Sequence, residues 1–277
     1  MATKAATSTK KAPVRKSAGA KKTTKSVTSA PATATRNTFV GHVQESVRSV
    51  SLWRSLGAEL VGTFLFAAVV IAGQGQPIFV LFALTGIVLL VGAISGAHVN
   101  PAITIGAWVT RRIGWLRAVS YIVAQLLGAI LAYVVLSAFL GGATAVSESS
   151  AALGQTAPAL FKAADISLLV GKEWYVFFAE LLGTAILGFA IANATREVQD
   201  RVAAAFTAGL GIFIALMVAV SAASYVGANA IINPAVAISL QAYTPHIWSY
   251  AIYALAPVIG SIIGFILYDL HRGRSTK

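Results

Sequence analysis

The stretch SGAHVNPAITIG, Ser95–Gly106, decides the fold of this chain, because its Asn-Pro-Ala core returns at Asn233-Pro234-Ala235. Each copy follows an apolar span and opens a short apolar segment, residues 100–110 and 233–243. A helix of about ten residues is roughly 15 Å long, which is half of a bilayer core of about 30 Å. We therefore predict two half-helices that enter from opposite faces and meet end to end.

The residues of the two motifs are suited to starting a helix: Asn100, Pro101, Ala102, Asn233, Pro234 and Ala235. Asparagine is a good N-cap, because its side-chain oxygen accepts a hydrogen bond from an unpaired backbone N–H. Proline at the first helical position lacks an N–H that would be unpaired there, and its φ is already helical. Alanine allows the two helix starts to approach, and each asparagine amide nitrogen should stay free to donate into the space between them.

The composition indicates a membrane protein. The chain has 277 residues, of which 57% are hydrophobic and only 11% charged, and its mean hydropathy is +0.77. A soluble domain usually has about a quarter of its residues charged. The sequence has no cysteine, which excludes disulfides and thiolate metal sites. It also shows no metal-ligand cluster, catalytic triad or phosphate-binding loop, so we expect neither an enzyme nor a cofactor or metal.

Apolar runs predict six membrane spans of about 20 residues. Arginines cluster in the loops that a six-span topology puts on the same side as both termini, whereas the opposite loops hold only Lys162 and Lys172. Basic residues favour the cytoplasmic side, so both termini are expected in the cytoplasm. The predicted spans are Trp53–Gly73, Ile78–Gly96, Trp115–Leu140, Trp174–Asn193, Val202–Ala223 and Ile247–Leu267.

The first 38 residues form a basic tail. Nine of the 21 lysines and arginines lie between Lys4 and Arg36, without an acidic residue, so removing them lowers the net charge from +12 to +3. The tail lacks the large apolar residues that would offset the entropy of ordering. We predict a disordered cytoplasmic segment over residues 1–38, either merely solvated or in contact with anionic lipid or nucleic acid, followed by a channel domain over residues 39–277.

The channel domain contains an internal repeat. AELVGTFLF at Ala58–Phe66 returns as AELLGTAIL at Ala179–Leu187, and each copy opens a unit of three spans and one Asn-Pro-Ala segment. Because three is odd, the second unit, about residues 174–269, must be inverted relative to the first, about residues 53–141. The predicted fold class is an all-α membrane protein with six transmembrane helices and two half-helices in an inverted repeat.

Three ionisable residues at membrane depth are candidate functional groups. Glu59 and Glu180 occupy matching places in the repeats. A buried carboxylate in a span could couple transport to protons; alternatively, each accepts hydrogen bonds from the half-helix loop of its own repeat, which the matching positions favour. His98 precedes Asn100 at the predicted cytoplasmic entrance, where it is either a pH sensor or a hydrogen-bonded wall of the vestibule.

These motifs resemble the aquaporin (major intrinsic protein) family over about Trp53–Asp269. SGAHVNPAITIG is similar to the first family signature, and YIVAQLLGAI at Tyr121–Ile130 resembles the third span. The resemblance implies a right-handed six-helix bundle with two half-helices, and a homotetramer with one passive pore per subunit for water and small uncharged solutes. It agrees with an integral membrane protein, which we expect in the plasma membrane.

The chain departs from the family pattern at the outer constriction. Family members usually have arginine after the second Asn-Pro-Ala, where this chain has Val236, as some plant vacuolar-membrane members do. Counted without gaps, the other constriction positions are Val80, Ser221 and Ala230. Such a ring should be wide and mostly apolar, and should pass glycerol, urea, ammonia or hydrogen peroxide besides water. Asn229 stands where the first motif has a glycine, and is expected either to adopt a positive φ or to contact the pore.

Two other functions share parts of this pattern. Inverted repeats also occur in secondary active transporters, which would need an ion-coupling site. A scaffold with a vestigial pore would act through its basic tail on a polyanion. Dependence of flux on an ion gradient would favour the first alternative, and loss of a binding partner on removal of residues 1–38 would favour the second.

Overall fold

The computed structural model describes residues 47–142, 154, 157–197 and 199–273, so the predicted tail over residues 1–38 lies outside the described residues. The described residues form helices and connecting turns, without a strand. The helices are α1 (Val50–Ala72), α2 (Pro77–Ser95), α3 (Pro101–Val109), α4 (Trp115–Gly141), a 3-10 turn (Ile166–Leu168), α5 (Glu173–Ala194), α6 (Arg201–Ser224), α7 (Pro234–Ser239) and α8 (Ile247–Arg272).

Six of these helices are long and apolar enough to cross a membrane: α1, α2, α4, α5, α6 and α8. Their bounds agree with the predicted spans to within three residues, except that α8 continues to Arg272, five residues beyond the predicted end at Leu267. We call the side where α1 begins and α8 ends the terminal face. The side with the α1–α2 turn and the segment before α5 is the loop face.

The helix contacts repeat in the two halves. Helix α1 packs on α4 and on α2, and α5 packs on α8 and on α6 in the same way. Each half-helix packs on a span of the other half: α3 lies against α8, and α7 lies against α4. Helices α2 and α6 contact each other at the junction. This exchange agrees with the inverted repeat, and it places both Asn-Pro-Ala motifs between the halves.

Matching glycines allow the closest helix approaches. A Cβ atom at Gly128 in α4 would overlap the carbonyl oxygen of Leu60 in α1, and one at Gly260 in α8 would overlap that of Leu181 in α5. Leu60 and Leu181 are the third residues of the repeated Ala-Glu-Leu sequences. Small residues matter at such contacts because lipid tails, being apolar themselves, provide no hydrophobic force between helices.

Helix α8 contains a π-helical turn at Ala251–Leu255, which ends two residues before Pro257. Proline cannot donate to the carbonyl four residues earlier, which is that of Tyr253. The hydroxyl of Tyr243 instead donates to this carbonyl at 2.9 Å. A backbone oxygen that would be costly to leave unpaired at membrane depth is thereby satisfied from outside the helix.

We expect Gly128→Ala to destabilise the folded protein by about 1–3 kcal/mol, because an added methyl group must push α1 and α4 apart. Gly86→Ala is the matched control, since a Cβ atom at Gly86 in α2 meets no atom within 4 Å. Thermal unfolding in detergent measures both. Equal midpoints for the two variants would show that the α1–α4 contact tolerates the extra volume.

Candidate functional site between the half-helices

Both motif asparagines cap their half-helices. The Oδ1 of Asn100 accepts a hydrogen bond from the backbone N–H of Ala102 at 2.9 Å, and the Oδ1 of Asn233 accepts one from that of Ala235 at 3.0 Å. In both half-helices the proline is the first helical residue. The predicted helix starts are therefore present. Helix α7 has six residues against nine in α3, and is shorter than the segment 233–243 suggested.

The asparagine amides cross between the repeats. The Nδ2 of Asn100 donates to the carbonyl of Ile232 at 2.9 Å, and the Nδ2 of Asn233 donates to the carbonyl of Val99 at 2.9 Å. The expectation that both amide nitrogens stay free is thus wrong for one hydrogen of each, because the loop carbonyls lie within reach. An amide nitrogen carries two hydrogens, so each asparagine keeps one donor for the space between the half-helices.

The loop residues whose carbonyls accept these bonds have an unusual backbone. Val99 has φ +41° and Ile232 has φ +51°, in the left-handed region that β-branched residues rarely adopt. Such a conformation costs on the order of 1–3 kcal/mol and persists only where the surroundings impose it. It turns the two carbonyl groups toward the asparagines of the opposite repeat.

The two buried carboxylates impose this backbone. Glu59 accepts hydrogen bonds from the backbone N–H groups of His98 and Val99, at 2.9 and 2.8 Å. Glu180 accepts them from Ile231 and Ile232, at 2.5 and 2.7 Å. Both carboxylates are fully buried. Each therefore satisfies the loop of its own repeat, which is the geometry of the structural interpretation.

The surroundings of the two carboxylates differ. The Nε2 of Gln125 donates to Glu59 at 2.7 Å and to the hydroxyl of Thr104 at 2.9 Å. Pro257 stands at the place equivalent to Gln125, since both lie three residues before the matching glycines of α4 and α8. Glu180 thus has two hydrogen-bond donors among the described residues where Glu59 has three. The repeated Ala-Glu-Leu sequences alone do not indicate this difference.

His98 is buried beside the first motif. Its Nδ1 lies 3.2 Å from the hydroxyl of Thr104, and its ring meets that of Tyr121 edge-on, with centroids 5.5 Å apart. Tyr121 in turn donates to the carbonyl of Ser95 at 2.8 Å. The histidine is therefore fixed on two sides, as expected of a hydrogen-bonded wall.

Three cavities follow one another between the halves. A terminal-face cavity of about 360 Å³ shares Ile191 with a central cavity of about 10 Å³. The central cavity shares Phe66 and Ile212 with a loop-face cavity of about 20 Å³. A single water needs roughly 10–15 Å³ by this kind of measure, so each of the inner two cavities has room for about one water. The central cavity is lined by Phe66, Leu84, His98, Val99, Asn100, Ile103, Leu187, Ile191, Ile212 and Asn233.

The loop-face cavity contains two of the four predicted constriction residues, Val80 and Ala230. Ser221 is exposed and does not line it, whereas Leu216 of the same helix does. Ser221 therefore does not join Val80 and Ala230 at this cavity. Residues 225–232 separate α6 from Asn233, whereas only residues 96–99 separate α2 from Asn100. Five residues along a helix correspond to a rotation of about 140°, which turns Ser221 away from the cavity.

Val236 is buried in α7 and is not among the residues lining the loop-face cavity. Leu240, one turn further along, and Phe161, from the segment before α5, line it instead. The wall of this cavity is mostly apolar, and these large side chains form part of it. A cavity of about 20 Å³ is much smaller than the wide ring that the sequence suggested. Phe161 had no motif to mark it, and only the folded chain brings it to the cavity.

Asn229 does not adopt the positive φ expected of a glycine substitute. Its Oδ1 accepts a hydrogen bond from the backbone N–H of Ala164 at 3.0 Å, and its Nδ2 donates to the carbonyl of Lys162 at 3.2 Å. Because the longer α6–α7 connection places the tight turn elsewhere, at Gly227 with φ +79°, Asn229 is free to hold the segment before α5.

We expect Glu180→Gln to lower stability by about 1–3 kcal/mol, because an amide leaves one of two buried N–H groups without an acceptor. Thermal unfolding measures the stability, and flux through the purified protein in proteoliposomes measures its transport. Glu173→Gln is the control, since Glu173 lies at the start of α5 and is only partly buried. A fully stable Glu180→Gln protein whose flux had merely lost a proton dependence would favour the coupling interpretation.

Because the chain contains no cysteine, a single introduced thiol can be modified selectively. A thiol reagent should block flux through Leu216→Cys, whose side chain would lie at the loop-face cavity, and leave Ser221→Cys conducting although it is labelled. Stopped-flow light scattering on proteoliposomes measures the flux, and mass spectrometry the labelling. Block of Ser221→Cys alone would restore the gap-free assignment.

Comparison with known proteins agrees with this geometry. The family model described as "Major intrinsic protein" matches residues 46–268. Aquaporin Z from Photorhabdus laumondii is 32% identical over 241 residues, covering 78% of this chain and 96% of that protein. Glycerol uptake facilitator protein-like 6 from Lactiplantibacillus plantarum is 34% identical over 221 residues, covering 74% and 92%. The X-ray structure of the aquaglyceroporin from Plasmodium falciparum has the same fold, with a TM-score of 0.58 and 21% identity, covering 79% of this chain and 96% of that one.

Six membrane-spanning helices, two half-helices that meet at paired asparagines, and a family match over most of its length all agree. The chain belongs to the major intrinsic protein family of membrane channels.

Proposed function

We propose that this chain conducts water and small uncharged solutes passively along the line of the three cavities. The carrying observation is that neighbouring cavities share wall residues and that both motif asparagines line the central one. A channel needs a row of cavities across the molecule, whereas a scaffold does not. Among the described residues, no group of three or more histidine, acidic or cysteine residues could hold a metal ion.

The chemistry of the central cavity suits a neutral hydrogen-bonding molecule. Each motif asparagine keeps one amide hydrogen as a donor. The carbonyl oxygens of residues 96–98 and 229–231 receive no hydrogen bond from the rest of the described chain. All of these residues except Asn229 line one of the three cavities, where their carbonyls can act as acceptors. Both half-helices begin here, which adds partial positive charge. A passing water can exchange its hydration for these groups, while a cation meets an unfavourable field.

The loop-face cavity supports a preference for the smallest solutes. It has room for about one water, and its wall is formed by apolar groups such as Phe161, Leu216 and Leu240. A solute with several hydroxyl groups would lose hydration there without a replacement. Water, ammonia and hydrogen peroxide therefore fit this channel better than glycerol or urea, which need a wider ring.

The distribution of basic residues supports the predicted orientation of the chain in the membrane. The described terminal-face segments carry eight arginines, and the loop face carries Lys162 and Lys172. By the positive-inside rule the terminal face is cytoplasmic. The eight are Arg48, Arg54, Arg111, Arg112, Arg117, Arg196, Arg201 and Arg272. The homotetramer, the plasma-membrane location and the tail's contact with anionic lipid or nucleic acid stay predictions.

Proteoliposomes of the full chain should show rapid osmotic water flux without any ion gradient. Val236→Arg should slow the flux of small solutes more than that of water, because a guanidinium one turn from Leu240 would reach the constriction and add charge and hydrogen-bond donors. Val236→Met is the control for added length without charge. Stopped-flow light scattering measures water, and a pH-sensitive dye inside the vesicles measures ammonia.

The outcomes separate the alternatives. Flux that requires an ion gradient would support a secondary active transporter, and absence of flux from folded protein would support a scaffold. Removal of residues 1–38 should leave the flux unchanged in a channel. Equal solute flux in Val236→Arg and Val236→Met would remove position 236 from the constriction.

A further inference from the structure

We propose that Phe161 sets the size limit of the loop-face constriction and that Asn229 is the residue that positions it. This inference rests on the proposed channel function. Phe161 belongs to no transmembrane helix; it lies in the segment that precedes the 3-10 turn at Ile166–Leu168. Its side chain nevertheless forms part of the wall of the loop-face cavity, together with Val80 of α2 and Leu216 of α6.

The segment that carries Phe161 is fastened on both sides of the cavity. The backbone N–H of Ala163 donates to the carbonyl of Leu240 at 3.0 Å, at the end of α7. The side chain of Asn229, in the α6–α7 connection, accepts from Ala164 and donates to Lys162. Three hydrogen bonds thus hold the residues that directly follow Phe161. A side chain supported in this way keeps one position, as a selective site requires.

The ring of Phe161 also lies directly on the α1–α2 turn. A Cβ atom built at Gly75 would come within 2.6 Å of its Cε1 atom. Gly75 has φ +67°, a conformation that glycine adopts without strain. The absence of a side chain at this position leaves the space that the ring occupies. The ring of Phe161 therefore contacts the α1–α2 turn, while the backbone that follows it is bonded to Asn229 and Leu240.

The position of the ring explains why the cavity is narrow although the chain lacks arginine at position 236. An arginine would fill a constriction and also offer hydrogen bonds. A phenylalanine fills it without a polar group to replace lost hydration. With valine at position 236 and phenylalanine at position 161, the constriction thus selects solutes by their size and by the cost of removing their hydration. Removing the ring should admit larger polar solutes such as glycerol, and should affect water little.

We expect Phe161→Ala to raise the ratio of glycerol to water permeability at least about tenfold, which corresponds to about 1.4 kcal/mol of barrier height. Water permeability should change by less than about twofold, since the central cavity still limits single-file flow. Leu168→Ala is the matched control, because Leu168 lies in the same segment and is 80% exposed. Stopped-flow light scattering on proteoliposomes of the full chain measures the permeabilities for glycerol and for water.

A second variant covers the case in which Phe161→Ala folds poorly. In this cysteine-free chain, Phe161→Cys should lose most of its water flux on reaction with a bulky, charged thiol reagent. Leu168→Cys should be labelled equally and keep its flux. A labelled Phe161→Cys with unchanged water flux would overturn the inference, as would an unchanged permeability ratio in folded Phe161→Ala.

The test of Asn229 must separate positioning of Phe161 from a general stabilising role. Asn229→Ala should raise the ratio of glycerol to water permeability when Phe161 is present. It should have no further effect in the Phe161→Ala background, because Asn229 acts through the phenylalanine ring. Asn229→Asp, which keeps the acceptor for Ala164, should restore part of the selectivity. Additive effects of the two alanine substitutions would refute positioning.

These outcomes distinguish the inference from the function on which it rests. Wild-type protein that conducts water, with selectivity indifferent to position 161, contradicts the inference and leaves the channel function intact. Folded wild-type protein that conducts neither water nor solute contradicts the channel function, and the inference with it.

Discussion

A backbone N–H group at membrane depth needs an acceptor within the protein, because lipid offers none. This constraint governs the centre of the molecule, where the chain leaves helical conformation twice to start a half-helix. Glu59 and Glu180 supply acceptors for the loops before Asn100 and Asn233. With the N–H groups held, the loop carbonyls turn toward the axis between the halves, where they accept from the opposite asparagine and line the cavities.

The two repeats satisfy the buried polar groups around their carboxylates with different residues. In the first repeat, Gln125 bridges Glu59 and Thr104, so that carboxylate, span and half-helix form one hydrogen-bonded unit. In the second repeat, Pro257 occupies the matching place and follows a π-helical turn, and Tyr243 donates to the carbonyl of Tyr253, which the proline cannot reach. The sequence similarity of the repeats therefore extends to the carboxylates but not to their supports.

The fold was predictable because its signals are local and duplicated. Each Asn-Pro-Ala marks a helix start by the capping chemistry of its own residues, and the spans follow from apolar runs. The loop-face constriction was not predictable in the same way. The residue of α6 that lines the cavity is Leu216 and not Ser221, because no local signal in the sequence fixes where α6 stands relative to Asn233. Phe161 comes from a segment without periodicity, and Asn229 could be read from sequence as a turn residue, since its partners lie more than sixty residues away.

The exchange of hydrogen bonds between Asn100 and Ile232, and between Asn233 and Val99, has a consequence for biosynthesis. Chains emerge from the ribosome with the first half ahead of the second. Until the second half arrives, the amide of Asn100 and the carbonyl of Val99 lack their partners, and an exposed loop with such groups is costly in lipid. The first half-helix segment must therefore stay in a hydrated or protein-lined environment until then. It reaches its final position late, because that position depends on residues synthesised more than a hundred positions later.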